Sequence, residues 1–134
     1  MSLVSDIRQL AERPTIIPGI ATADWNSGLA TSGAAGADLV TIGGPNSWFR
    51  LNQFIIVTGV FNIGATVTYR VYSDVAGVNR LIFGDDYGPP PVEVMYMSWW
   101  FDAEFFGPLR VELHSDQVVD DGLAVTYEYR IKSW

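Results

Sequence analysis

From Gly36 to Trp134 the chain is cut into about seven short alternating or apolar runs, each ended by Gly, Pro or Asp, and this pattern limits the fold more than any other feature. Alternation puts successive side chains on opposite faces of an extended strand, and turn residues every ten positions or so leave no room for a long helix. Ala65 to Val75 is the clearest case, with Val67, Tyr69 and Val71 on one face and Thr66, Thr68, Arg70 and Tyr72 on the other. Similar runs cover Asp38 to Ile42, Trp48 to Phe61 with Gly59 marking a bulge, Val78 to Phe83, and Val92 to Phe101. A further strand sets Leu109, Val111 and Leu113 against Arg110, Glu112 and His114, and the last runs from Leu123 to Ile131. Gly84 to Pro91 reads as a stiff loop, since its three prolines donate nothing to a ladder. The expected fold is all-β, an antiparallel jelly-roll-like β-sandwich of about 7–8 strands.

The first 35 residues break that pattern. Ser5 to Arg13 places Ile7 and Leu10 three apart, with Asp6 early and Pro14 as a stop, which predicts a short amphipathic helix. Pro14 through Pro18-Gly19 to Trp25 is extended and punctuated, and a Gly/Ala/Ser-rich stretch leads to Gly36. Residues 1–35 therefore read as an extended amino-terminal arm and connector, and residues 36–134 as the sandwich domain.

A chain of 134 residues with five Trp, six Tyr and seven Phe is long enough for one well-buried core. Eight basic residues stand against fifteen acidic ones, a net charge of −7, and Lys132 is the single lysine. That balance lacks the basic footprint that nucleic acids and anionic membranes require, so neither is expected as a partner. With no cysteine, disulfides and thiolate metal sites are excluded. The opening Met1-Ser2-Leu3-Val4-Ser5-Asp6 has neither the basic start nor the apolar stretch of a secretory signal, and no run of eighteen apolar residues occurs. The expectation is synthesis in a cytoplasm.

No catalytic constellation emerges. His114 is the only histidine, it lies on an alternating strand beside Arg110 and Glu112, and no Gly-x-Ser-x-Gly elbow accompanies it, so it reads as a polar-face residue. Glu93, Asp102, Glu104, Glu112 and Glu128 supply carboxylates for a glycosidase pair, but Glu112 and Glu128 alternate with Arg110 and Arg130 and are better explained by charge pairing. Asp116, Asp120 and Asp121 crowd one loop in the manner of oxygen ligands for Ca²⁺, yet Asp120-Asp121-Gly122 is also a natural turn, and no cofactor or metal is expected. The Gly-rich stretches lack the Lys-Ser/Thr ending of a phosphate cradle. The chain is read as a non-enzyme.

Trp99 and Trp100 are adjacent, so a strand sends them to opposite faces, one to the core and one to an interface, with Trp100 favoured for the core by its parity with Val92, Val94 and Tyr96. Interaction is assigned to Ile7, Leu10, Ile16, Ile17 and Trp25 on the arm and to Trp48, Trp99 and Trp100 on the sandwich.

The phrases Ala23-Asp24-Trp25-Asn26-Ser27-Gly28, Gly36-Ala37-Asp38-Leu39-Val40-Thr41-Ile42-Gly43 and Leu109-Arg110-Val111-Glu112-Leu113-His114-Ser115-Asp116, followed by Asp120-Asp121-Gly122 and Tyr127-Glu128-Tyr129, resemble small β-sandwich virion structural proteins of tailed phages and prophages, including head-decoration and cement proteins. The resemblance implies a homotrimer in the virion, made in the host cytoplasm, whose arm engages a major capsid protein. The alternative is a carbohydrate- or receptor-binding β-sandwich module that uses Trp48, Trp99 or Trp100 as stacking platforms.

Overall fold

The computed structural model of the protein describes residues 15–26, 37–96 and 103–133. Among them are nine strands: β1 (Thr15–Thr22), β2 (Ala37–Ile42), β3 (Trp48–Ile56), β4 (Val67–Val75), β5 (Val78–Tyr87), β6 (Met95–Tyr96), β7 (Ala103–Phe106), β8 (Leu109–Ser115) and β9 (Ala124–Ser133). The described residues otherwise contain one short 3₁₀ turn, Val118–Asp120. The proposed helix over Ser5 to Arg13, with Ile7 and Leu10, lies outside the described residues, as do Trp99 and Trp100.

The strands form two antiparallel sheets. One runs β1-β9-β3 and ends in a lane shared by β6 and β7, which pair with opposite halves of β3; the other runs β2-β8-β4-β5. The chain changes sheet at nearly every connection, and only the β4–β5 hairpin and the β6–β7 segment stay within one.

One apolar core is fed from both sheets. Phe54, Ile56 and Val125 come from the first, and Val71, Val111 and Leu113 from the second, all without exposed surface. The alternation in Ala65 to Val75 is realised: Val67, Tyr69 and Val71 are buried on the inner face of β4, although Thr68 on the outer face is buried as well by its sheet neighbours. Phe54, Tyr127 and Tyr129 stack nearly parallel, with ring centroids 5.9–6.4 Å apart. Burial raises the hydroxyl pKa of Tyr69 and Tyr129 above the usual phenol value, so both stay protonated across the neutral range.

Several boundaries differ from the sequence reading; among the described residues of the strand expected over Val92 to Phe101, only Met95–Tyr96 is strand, and Val92 and Val94 are exposed before it. Thr15–Thr22, inside the segment expected to be arm, is a full edge strand paired with β9 from Thr15↔Ile131 to Thr22↔Ala124. Pro18 and Gly19 made it look like a connector, but an edge strand tolerates a missing donor, and Gly19 leaves the room that the Tyr127 ring fills; a Cβ there would sit 2.3 Å from that ring. The strand expected to reach Phe61 stops at Ile56: the Val57 amide makes a last bond to Thr126 of β9, after which the amides of Gly59 and Phe61 turn to the carbonyls of Glu93 and Thr58. Conversely β5 runs on through Gly84-Asp85-Asp86 to Tyr87, and the proline loop begins only at Gly88.

Candidate functional site

The long connections gather at one end of the sheets, where Thr22, Ile56, Tyr87 and Ser115 leave their strands: the start of β1–β2, then β3–β4, β5–β6 and β8–β9. Asp120 is the hub of this loop crown. It is 1% exposed. Its Oδ1 accepts the Asn62 amide at 2.9 Å and its Oδ2 accepts the Ser115 hydroxyl at 2.5 Å, while Ser115 Oγ accepts the Gln117 amide at 3.2 Å. Such charge-assisted bonds are the strong class, about 1.5–3 kcal/mol each.

The neighbouring carboxylates extend the same scheme to other loops. Asp121 Oδ1 accepts the Asn26 amide at 2.7 Å, and Asp116 Oδ1 accepts the Thr66 amide at 2.9 Å. Asn26 returns a side-chain bond from Nδ2 to the Ser115 carbonyl, 2.9 Å. On the far side, the Thr58 hydroxyl donates to the Val92 carbonyl at 2.6 Å and the Gly59 amide to that of Glu93 at 2.9 Å. The three acids weighed as Ca²⁺ ligands thus each hold a backbone N–H outside their own loop, Asp116 and Asp120 in the β3–β4 connection and Asp121 after β1. Among the described residues no cluster of three or more His, Asp or Glu side chains is assembled for a metal.

This polar frame carries an apolar rim. Ile63 is 80% exposed, Val118 73% and Val119 63%, and Val60, Val92 and Val94 are also exposed. An open groove of about 560 Å³ runs between the β3–β4 and β5–β6 loops, lined by Val57, Val60, Phe61, Ile63, Pro90 and Pro91 with Glu93 at its edge. These aliphatic side chains stand in solvent at the loop tips and add little to the protomer's own core.

Arg110, on the outer face of the β2-β8-β4-β5 sheet, organises a different group. Its Nη1 meets Asp38 at 2.9 Å and also binds Glu112, whose side chain is 1% exposed; Nη2 donates to Asn79, and the guanidinium lies 4.3 Å from the Tyr72 ring centroid. Burial works against the Arg110 charge, but the bonds to Asp38 and Glu112 outweigh it and hold its pKa above the ordinary value. The Arg110–Glu112 pair therefore runs along a strand. His114 sits half-buried on the same strand.

The assigned interaction residues scatter. Trp25 is fully buried: its indole N–H donates to the Leu123 carbonyl at 2.8 Å, and its ring meets the edge of Phe61 at 6.3 Å. Ile17 packs against the core, whereas Ile16 is exposed on the edge strand β1. Trp48 is 48% exposed and leans on Phe106, centroids 4.8 Å apart, at the end opposite the crown. Ile63, Val118 and Val119 were missed because single aliphatics among turn residues carry no periodicity.

Neither a family model nor a curated protein sequence matches the chain. Among solved structures it is similar to the infectious bursal disease virus VP2 subviral particle, with 11% identity and a TM-score of 0.38, over 90% of this chain and 32% of that one. A structure of the T13 IBDV viral particle follows at 13% identity and a TM-score of 0.33, over 90% and 31%. The chain spans about a third of the length of those chains, and similarity at these scores carries no argument about function.

Proposed function

We propose that this chain is a virion structural protein, a capsid decoration or cement subunit that works by noncovalent burial of its loop crown against copies of itself, as a homotrimer, and against a major capsid protein. The observation that carries the reading is the crown: the β1–β2, β3–β4 and β8–β9 connections are tied by bonds to Asp116, Asp121 and buried Asp120, β5–β6 is joined to β3–β4 through Thr58 and Gly59, and Ile63, Val118 and Val119 stand exposed at the tips. Rigid tips lose little entropy on docking, which suits a lattice joint. The strand orders β1-β9-β3-β6/β7 and β2-β8-β4-β5 follow jelly-roll winding, an architecture that capsid domains share with lectins and cupins, so the fold admits the reading without selecting it. The net charge of −7 fits a coat component that does not adsorb nucleic acid.

The test is co-sedimentation of the purified chain with particles of the virus that encodes it. Saturable binding at a fixed ratio, lost in the I63D/V118D variant, supports the proposal; no binding by the wild type removes it. A second reading, a glycan- or receptor-binding module, draws on the exposed Trp48–Phe106 pair. It gains if a glycan array gives hits that vanish on Trp48→Ala and are unaffected by I63D/V118D.

A further inference from the structure

The two sheets have four edges, and three are blunted. β1 carries Pro18 in mid-strand; β2 is six residues long with a register shift between Asp38 and Val40; β6 and β7 are two short pieces of one lane. The fourth, β5, is ten residues long, holds no proline or lysine, pairs on one side only among the described residues, and exposes Val78, Leu81 and Phe83. A long apolar edge left open is a template for another strand.

We infer that β5 pairs antiparallel with β5 of a second copy of this chain, joining two four-stranded sheets into one. Charge selects a second copy as the occupant. Two chains of net charge −7 repel, so their contact needs local complementarity, and β5 supplies it to itself. Centring the pair between Ile82 and Phe83 sets Arg80 opposite the partner's Asp85, Asn79 opposite the partner's Asp86, and Leu81 opposite the partner's Gly84. The extra residue in β5 makes this register sterically consistent. Against β4 the pairing steps from Val71↔Phe83 to Tyr72↔Leu81, leaving Ile82 inserted. As a result Arg80, opposite buried Ser73, and Asp85, opposite buried Tyr69, lie on the same face, so an Arg80–Asp85 pair forms on one side of the joined sheet. Two such bridges flank an apolar centre.

This contact is independent of the loop crown, and its test is run so that the two separate. In the I63D/V118D background, sedimentation equilibrium should give a dimer at tens of micromolar. Arg80→Glu and Asp85→Arg should each weaken that dimer about tenfold or more, and the double swap R80E/D85R should restore it. Melting curves of each variant check that the fold survives. The register has its own readout: with Ile82 inserted, nitroxides on single cysteines should have backbone attachment points about 8 Å apart across the dimer at Leu81→Cys and about 28 Å apart at Val78→Cys, from strand spacing and rise. A monomer at millimolar concentration overturns the inference, as does a double swap no tighter than the single reversals or equal label distances at the two sites.

Discussion

At one end of the sandwich the strands are joined by turns of a few residues, around Gly43, Ala76-Gly77 and Gly107, whose backbones take left-handed φ values of 53–80°. At the other end the connections are long, and side chains rather than turn geometry close them: Asp116, Asp120, Asp121 and Asn26 each capture a backbone group from another segment. The turn end spends few residues, and its exposed apolar surface is Trp48 with Phe106 and, beside the β4–β5 turn, Val75 and Val78. The crown invests buried charge to immobilise loops whose apolar tips face outward. Bonds of this kind give the crown loops a set shape.

That contrast breaks most visibly at Asp120. Asp120→Ala removes both carboxylate bonds, stranding the buried Ser115 hydroxyl and releasing the Asn62 amide at the edge of the site, a loss of about 2–4 kcal/mol, read as a denaturant midpoint shift with unchanged m. An effect below about 1 kcal/mol would mean that the crown is not locked. Arg110→Met on the outer sheet face should cost less, about 2–3 kcal/mol. It removes the Arg110 bond to the buried Glu112 carboxylate, but the Arg110 side chain keeps 28% of its surface exposed and water already weakens the pair. At the turn end Ala76 sits at φ 53°, where a Cβ is strained and a hairpin turn favours Asn-Gly. Ala76→Asn should raise stability by about 0.5–1 kcal/mol, roughly 2–4 °C in Tm, with the crown untouched.

Much of the scaffold is legible in the sequence. Alternation in Val67–Val75, Leu109–Ser115 and Ala124–Ser133 places those strands because each has one face in the core. β1 escapes that logic: as an edge strand it accepts Pro18-Gly19, the residues that signal a break everywhere else, and only its pairing with β9 identifies it. Trp25 was assigned to an interface for a related reason, since the burial of a residue beyond the last turn of a presumed arm depends on which strands close over it. The crown is the least legible part. Asp116, Asp120 and Asp121 are typical turn residues in a line of text, and nothing local distinguishes a solvated carboxylate from one that accepts Asn62 from 58 positions away.

The most direct measurement of the account is a paired one on the I63D/V118D variant and the wild type: thermal unfolding of each, and saturation binding of each to particles of the encoding virus. Both tips are more than two-thirds exposed, so the account predicts melting temperatures within about 2 °C of one another and loss of particle binding in the variant alone. A variant that binds particles as the wild type does, with its fold intact, would contradict the claim that the crown is the joint.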